Sequence, residues 1–306
     1  MKKKAGTGRR LAAIAVMLLL CAVATVYILN LAHTRMEEAR QAEIERQQAE
    51  AEQQAAEEAA AAEAETAAET EDASDVASAP ERVYSYKGSS DDEAYTMAAY
   101  DHAVEAGSGF ISMPFVVSGD GTLFVADSDE SQGLTGYSGY FSGMSDGQIA
   151  ELKTRGGADI AKLSDIVEKH GKNINYIIEL KYTSDRNIQA LEDFIKKNEL
   201  EGNVAIASTY FSGLRTLEND MPDIPKIFLC EDDVSFGEAL GLAQVDTISV
   251  KKDLMIADYC KMAHDRGKKF GAWTLNTEDE IKSAIDMGVD SYFTDETNLA
   301  VGIEKN

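Results

Sequence analysis

The chain has 306 residues, enough for one large domain or two small ones. It carries 29 Lys and Arg against 54 Asp and Glu, and the formal net charge of -25 argues against a nucleic acid as its partner. The three cysteines, Cys21, Cys230 and Cys260, lack the spacing of a metal site, and nothing in the sequence brings Cys230 and Cys260 together as a disulfide.

A basic flank, residues 1–10, precedes an apolar run at residues 11–32 that contains no charged side chain. As a helix, a run of this length reaches roughly 30 Å, the thickness of the hydrocarbon core of a bilayer. Positive flanks stay in the cytoplasm, so we expect a single-pass anchor in the cell membrane, with the remaining chain on the extracytoplasmic side. The alternative is a cleaved signal peptide, because Ala22-Val23-Ala24 has the spacing of a cleavage site, although the apolar run continues through Leu29.

Residues 33–80 are rich in Ala, Glu and Gln and nearly free of large apolar side chains. Ala and Glu favour a helix, but no Leu or Val recurs at heptad positions, so a coiled coil is weakly supported. The segment is either an extended helical spacer or a disordered acidic tail. In both cases it tethers a folded domain to the predicted transmembrane helix.

From residue 81 to residue 306 the sequence has the pattern of a folded domain, because short apolar runs alternate with amphipathic segments. This alternation predicts an α/β fold, a (β/α)8 TIM barrel. An open doubly wound sheet is the alternative, although no glycine-rich dinucleotide motif follows the first strand. The predicted strands are residues 83–86, 110–117, 123–127, 175–181, 203–208, 225–230, 247–250, 270–275 and 291–294.

Nine predicted strands are one more than such a barrel holds. The second and third are joined by Gly119-Asp120-Gly121, and Asp-Gly readily adopts the positive φ of a tight hairpin turn. We therefore expect the hairpin at residues 110–127 to contain the surplus strand.

In a barrel of this type, function lies at the carboxyl ends of the strands. Glu179 and Lys181 are two residues apart at the end of one predicted strand, so both point to the same face. A charged pair that faces into a barrel is costly unless it binds a ligand or pairs internally. The pair is therefore a candidate for binding a cation together with an anionic group, or else a structural ion pair or a polar strand face.

Several stretches, taken in chain order, resemble the glycerophosphodiester phosphodiesterase family over residues 83–303. KKFGAWTLNTEDEIKSAIDMGVDSYFTDETNLA is the most specific of them, because its Trp-Thr-x-Asn, Gly-Val-Asp and Thr-Asp elements follow the order of the family. The other matching stretches are YTMAAYDHAVEAGSGFI, SGDGTLFVADSDES, MSDGQIAELKTRG, IAKLSDIVEKHGKNINYIIELK and NVAIAST.

The resemblance implies a (β/α)8 barrel that hydrolyses glycerophosphodiesters with Ca²⁺ or Mg²⁺, two histidines as acid and base, and three acidic metal ligands. In this chain the two histidine positions are occupied by Tyr86 and Asp127, and the two acidic positions of the second strand by Ser112 and Pro114. Lys87 stands where the family has an arginine. The Glu-x-Lys pair, Glu179 and Lys181, and the neighbouring Trp273 are retained.

The histidines of the chain support this alignment. His33 lies at the end of the apolar run, and His102, His170 and His264 lie within predicted helices. No shift of register brings any of them to the end of a strand, where a catalytic acid or base is needed.

These replacements predict that the domain, which residues 11–32 anchor to the membrane, has no hydrolytic activity and no cofactor. It would bind a glycerophosphodiester, a phospholipid head group or a teichoic-acid-like ligand through Lys87, Lys181 and Trp273. The alternative is an active phosphodiesterase in which Glu179 and Asp127, with Asp129, hold Ca²⁺ or Mg²⁺. A third alternative is a scaffold whose barrel binds no ligand.

Overall fold

The computed structural model describes residues 80–305. The predicted basic flank, the transmembrane helix at residues 11–32 and nearly all of the spacer at residues 33–80 lie outside this range. Between residues 80 and 305, no helix is both long and apolar enough to cross a bilayer.

Eight parallel strands close into a barrel in the described part of the chain. They follow the order β1-β9-β8-β7-β6-β5-β4-β2, and β1 pairs with β2 to complete the circle. The ninth strand, β3, is antiparallel to β2 and pairs only with its second half, from Phe115 onwards. The strands are β1 (Val83–Tyr86), β2 (Phe110–Val117), β3 (Leu123–Val125), β4 (Asn175–Glu179), β5 (Val204–Ser208), β6 (Lys226–Cys230), β7 (Thr247–Lys251), β8 (Lys269–Trp273) and β9 (Ser291–Thr294).

The closed barrel confirms the predicted fold class and excludes the open sheet. The surplus strand is the second strand of the hairpin, as predicted. Three strands end earlier than predicted: β3 ends at Val125, β4 at Glu179 and β8 at Trp273. Asp127 and Lys181 therefore lie in loops just beyond strand ends.

The helices surround the barrel and follow its strands. They are α1 (Met97–Glu105), α2 (Gln132–Thr135), α3 (Asp146–Ala150), α4 (Leu163–His170), α5 (Asp185–Lys197), α6 (Phe211–Asp220), α7 (Asp233–Ala239), α8 (Ala257–His264), α9 (Glu278–Met287) and α10 (Thr297–Glu304), with short 3₁₀ turns at Phe141–Gly143 and Lys252–Leu254. His102, His170 and His264 lie in the last turns of α1, α4 and α8, where each pairs with an aspartate. The prediction that these histidines are helical is confirmed.

Two apolar layers follow from the alternation of side chains along the strands. Ile178 and Leu180 of the Glu179 region pack outwards in the large core between sheet and helices. Ile177, by contrast, points inwards. It forms a smaller cluster inside the barrel with Phe293 and Leu229, against which Tyr86 and Trp273 pack. Because side chains alternate with a period of two, Glu179 faces the barrel interior with Ile177.

A segment between β3 and α4, residues 128–162, forms an insertion at the carboxyl end of the barrel. Its Phe141, Ile149 and Ile160 are buried with Val116 and Phe124 of the β2–β3 hairpin. The insertion is also tied to the loop before α1, because Glu93 accepts hydrogen bonds from the Thr154 hydroxyl and from Gly156 N. It therefore forms one wall of the carboxyl-terminal face.

The two described cysteines are buried and free. Cys230 ends β6, whereas Cys260 lies in α8, where its thiol contacts the carbonyl oxygens of Met287 and Gly288. They do not form a disulfide in this structure.

Candidate functional site

A cavity of about 340 Å³, here called the mouth, opens at the carboxyl end of the barrel. Its lining comes from the carboxyl halves of seven barrel strands and the loops that follow them. This is the end of a parallel barrel at which ligands bind. The lining residues are Tyr86, Lys87, Ser112, Glu179, Lys181, Ala207, Thr209, Leu229, Glu231, Trp273, Thr274 and Phe293.

The predicted pair Glu179 and Lys181 meets in the mouth. Lys181 Nζ lies 3.7 Å from Glu179 Oε1, and Glu179 is only 6% exposed. Burial raises the pKa of Glu179, the ammonium groups of Lys181 and Lys87 oppose this shift, and the Asp127 carboxylate adds to it. The pair thus contains a poorly solvated carboxylate beside a partly exposed cation.

Tyr86 and Lys87, at the carboxyl end of β1, line the mouth two strands away from Glu179. Burial raises the pKa of the Tyr86 phenol far above 10, and the charges of Glu179 and Asp127 raise it further. Lys87 has φ of 63°, a left-handed conformation that is uncommon outside glycine, and its Nζ lies 4.7 Å from the centre of the Tyr86 ring. Tyr86 therefore stays a neutral phenol near pH 7, and the cation beside it is Lys87.

A sequence model of the glycerophosphoryl diester phosphodiesterase family matches residues 87–299, which include nearly every mouth residue. This chain belongs to that family. The resemblance that the sequence motifs indicated is therefore confirmed.

Known members of the phosphodiesterase family are distant relatives of the chain. A glycerophosphodiester phosphodiesterase of Bacillus altitudinis is 23% identical over 229 residues, which cover 69% of this chain and 92% of the relative. A phosphodiesterase of Oleispira antarctica, solved with its product sn-glycerol-3-phosphate, has a TM-score of 0.68 at 17% identity and covers 74% of this chain and 97% of its own. A putative glycerophosphoryl diester phosphodiesterase of Agrobacterium tumefaciens has a TM-score of 0.67 at 17% identity, covering 73% and 97%. At these identities the structural likeness shows the shared fold.

The acidic side chains of this phosphodiesterase-family mouth do not form the predicted alternative cation cage. The carboxylate of Asp129 is taken by Ser142, which donates its backbone N–H (2.8 Å) and its hydroxyl (2.6 Å). Asp127 is exposed and lies outside the lining of the mouth, and Ser112 and Pro114 are buried without a carboxylate. Asp129 is therefore a structural residue of the insertion. The expectation that it serves as a ligand in the cation cage is corrected accordingly.

The metal that the family implies needs several oxygen ligands around one point. Among residues 80–305, no group of three or more His, Cys, Asp and Glu side chains converges in a way that could hold a cation. Glu179 lacks the two further carboxylates that a hard cation would share with it. The described residues thus do not fit the metal of the family.

Trp273 lines the mouth and is fixed by two neighbours. Its indole Nε1–H donates to the carbonyl of Ser249 (2.9 Å), and Lys251 Nζ lies 5.5 Å from the centre of its ring. Lys251 also pairs with Glu231 at 3.2 Å. No specific role was predicted for Glu231 or Lys251, although each stands at the end of a strand, which is the signal that could have identified them.

Proposed function

We propose that this domain binds a phosphate-bearing ligand in the mouth without hydrolysing it. The observation that carries this proposal is that Lys87 and Lys181 both line a cavity in which Tyr86 stands where the family has a catalytic histidine. Ammonium groups bind phosphate oxygens strongly, and a neutral phenol can donate a hydrogen bond to them. The solved Oleispira antarctica neighbour, bound to sn-glycerol-3-phosphate, supports a phosphate ligand for this fold.

The residues that line the mouth support the proposed absence of hydrolysis. General acid–base catalysis is typically worth about 10² to 10⁴-fold and needs a group that exchanges protons near neutral pH. The high pKa of Tyr86 prevents it from acting as a base there. Glu179 is left without the two further carboxylates that a metal on the phosphoryl oxygens would need, because Ser112 and Pro114 occupy the acidic positions of the family.

The ligand class proposed is a diester of glycerol phosphate, either free, in a phospholipid head group or in a teichoic-acid-like polymer. Residues 11–32 support a position on the outer face of the cell membrane, where such compounds occur as envelope components. In this proposal the segment at residues 33–80 tethers the domain to its anchor.

Calorimetry with the full-length chain and glycerophosphocholine tests the binding. We expect Lys181→Ala to weaken binding at least about ten-fold, because a charge-assisted hydrogen bond is lost, and Lys181→Arg to retain most of it. Lys172→Ala is the matched control, since Lys172 is exposed, pairs with Glu199 at 3.4 Å and precedes β4 at the other end of the barrel. Equal affinities of wild type and Lys181→Ala would contradict the proposal.

The same samples, supplied with Ca²⁺, Mg²⁺ or Mn²⁺, test for hydrolysis. We expect no release of glycerol phosphate above the rate without protein. Metal-dependent release that is lost in Glu179→Ala would establish the active phosphodiesterase instead. The carboxylate of Glu179 favours this second function, because it is retained among the residues that line the mouth.

A further inference from the structure

A second cavity of about 440 Å³ adjoins the mouth on the side of the insertion. Lys181 lines both cavities, so a ligand held by this residue in the mouth has the second cavity directly beside it. The walls come from the end of β2, the insertion, the loop after β4 with the first turn of α5, and the loop after β5. The lining of this cavity includes Lys181, Tyr182, Thr183, Asn187 and Tyr210.

Two partly exposed tyrosines flank this second cavity. Tyr182 is 39% and Tyr210 54% exposed, so each presents part of its apolar ring to a ligand in this cavity. Tyr182 is fixed because its hydroxyl accepts a hydrogen bond from Asp129 N (2.9 Å). The loop of Tyr210 is fixed by Ser208, whose hydroxyl accepts from Tyr210 N (3.1 Å) and donates to Leu180 O (2.7 Å). The rings are therefore held on two loops that are joined to each other.

The polar groups that remain available in the second cavity are uncharged. Asp129 is occupied by Ser142, and the Arg186 guanidinium donates to the carbonyl oxygens of Ser118 and Gly119. The Thr183 hydroxyl and the Asn187 side-chain amide have no hydrogen-bond partner among residues 80–305. Apart from the shared Lys181, this cavity thus offers aromatic faces, a hydroxyl and an amide.

We infer that the ligand carries a neutral hydroxylated ring, a sugar or a cyclitol, and that this ring occupies the second cavity while the phosphate occupies the mouth. This inference rests on the proposed function for the position of the phosphate. Aromatic faces pack against the C–H groups of such a ring, and a hydroxyl and an amide pair with its hydroxyl groups. A second phosphate fits less well, because the one other cation that residues 80–305 place in the lining, Arg186, already donates to two backbone carbonyl oxygens.

Calorimetry with the full-length chain compares glycerophosphoinositol with glycerophosphoethanolamine, which has the same phosphate but no ring. We expect the inositol compound to bind about two- to ten-fold more tightly, the range expected for aromatic contacts. Tyr210→Ala should abolish this advantage and leave the affinity for glycerophosphoethanolamine unchanged. Tyr137→Ala is the control, because Tyr137 is 56% exposed and lines neither cavity.

Equal affinities for the two diesters, or equal weakening of both by Tyr210→Ala, would overturn the inference and leave the proposed function standing. If neither diester binds the wild type, the proposed function fails, and saturation-transfer NMR with free myo-inositol tests the second cavity alone. A signal from the wild type that is lost in Tyr210→Ala but kept in Tyr137→Ala supports the ring site. No signal, or a signal unchanged by Tyr210→Ala, overturns it.

Discussion

At the level of single residues, Glu179 is a carboxylate whose environment disfavours its charge. Its pKa is raised from 4.5 mainly by burial, so the folded chain holds this proton more tightly than the unfolded chain does. The charged form therefore opposes folding. The penalty is absent well below pH 4.5, grows as the pH rises towards the raised pKa of Glu179 and is complete above it.

Removal of this charge should stabilise the ligand-free protein. We expect Glu179→Gln to raise the stability at pH 7 by about 1 kcal/mol, or roughly 2–4 °C in Tm for a domain of this size. The gain should shrink at pH 4, where the wild-type carboxyl is protonated. Scanning calorimetry at the two pH values measures it, with Glu231→Gln as a control in an exposed pair at the same mouth. A Tm that falls at pH 7 but not at pH 4 would show instead that the charged pair with Lys181 is net stabilising.

Lys226, by contrast, is a buried cation with a structural role. It is 0% exposed, and its Nζ pairs with Glu218 at 2.7 Å and donates to the carbonyl oxygens of Met221 and Ile224 at 2.9 Å each. These carbonyls belong to the turn that leads into β6. A methionine would leave them without their donor in a site closed to water.

We expect Lys226→Met to lower the free energy of unfolding by about 2–3 kcal/mol, the cost of unsatisfied buried acceptors and a broken pair. Urea unfolding measures this loss. Lys261→Met, in an exposed pair with Asp265 one helical turn away, should change the stability by less than about 0.5 kcal/mol. If Lys226→Met also lowered the free energy of unfolding by less than about 0.5 kcal/mol, water would have to replace the ammonium group as the donor.

At the level of elements, the junction of β1 and α1 depends on a close approach at Gly88. Its φ is +89°, and a Cβ at this position would lie 2.5 Å from the Cβ of Ala99. Gly121, in the hairpin turn, has a similar φ of +97° but no atom within 4 Å of its added Cβ. The two glycines therefore separate the effect of backbone conformation from the effect of packing.

We expect Gly88→Ala to destabilise the domain by about 3 kcal/mol and Gly121→Ala by about 1 kcal/mol. The difference reflects the displacement of α1 that the extra methyl group demands. Urea unfolding of both variants at one pH measures it. Equal losses would show that φ alone decides the cost and that α1 adapts without strain.

The order and type of the barrel elements were predictable because strand alternation and helical periodicity are local patterns. All nine strands were predicted at their observed places, including the surplus strand of the hairpin. Strand ends were less predictable, as Lys181 and Asp127 illustrate. A strand ends where its neighbours stop pairing with it, and those neighbours come from distant parts of the sequence.

For the whole molecule, adding the divalent metal of the family tests whether the folded barrel binds a cation. A cation that binds the native state at 100-fold excess over its Kd would add about 2.7 kcal/mol, or more than about 5 °C in Tm. We expect Ca²⁺ or Mg²⁺ to shift the Tm by less than about 1 °C relative to KCl of equal ionic strength, which controls for screening. A rise of several degrees that disappears in Glu179→Ala would show that the mouth holds a cation after all.

The amino-acid sequence by itself determined the family and the closed barrel. These follow from motifs and periodicities that are written along the chain. Only the tertiary structure decided which side chains are still available: Asp129 is taken by Ser142, Trp273 is held by Ser249 and Lys251, and Lys181 stands between two cavities. Such encounters join residues far apart in sequence, and they depend on how the barrel closes and where its loops fold back, which no local pattern specifies.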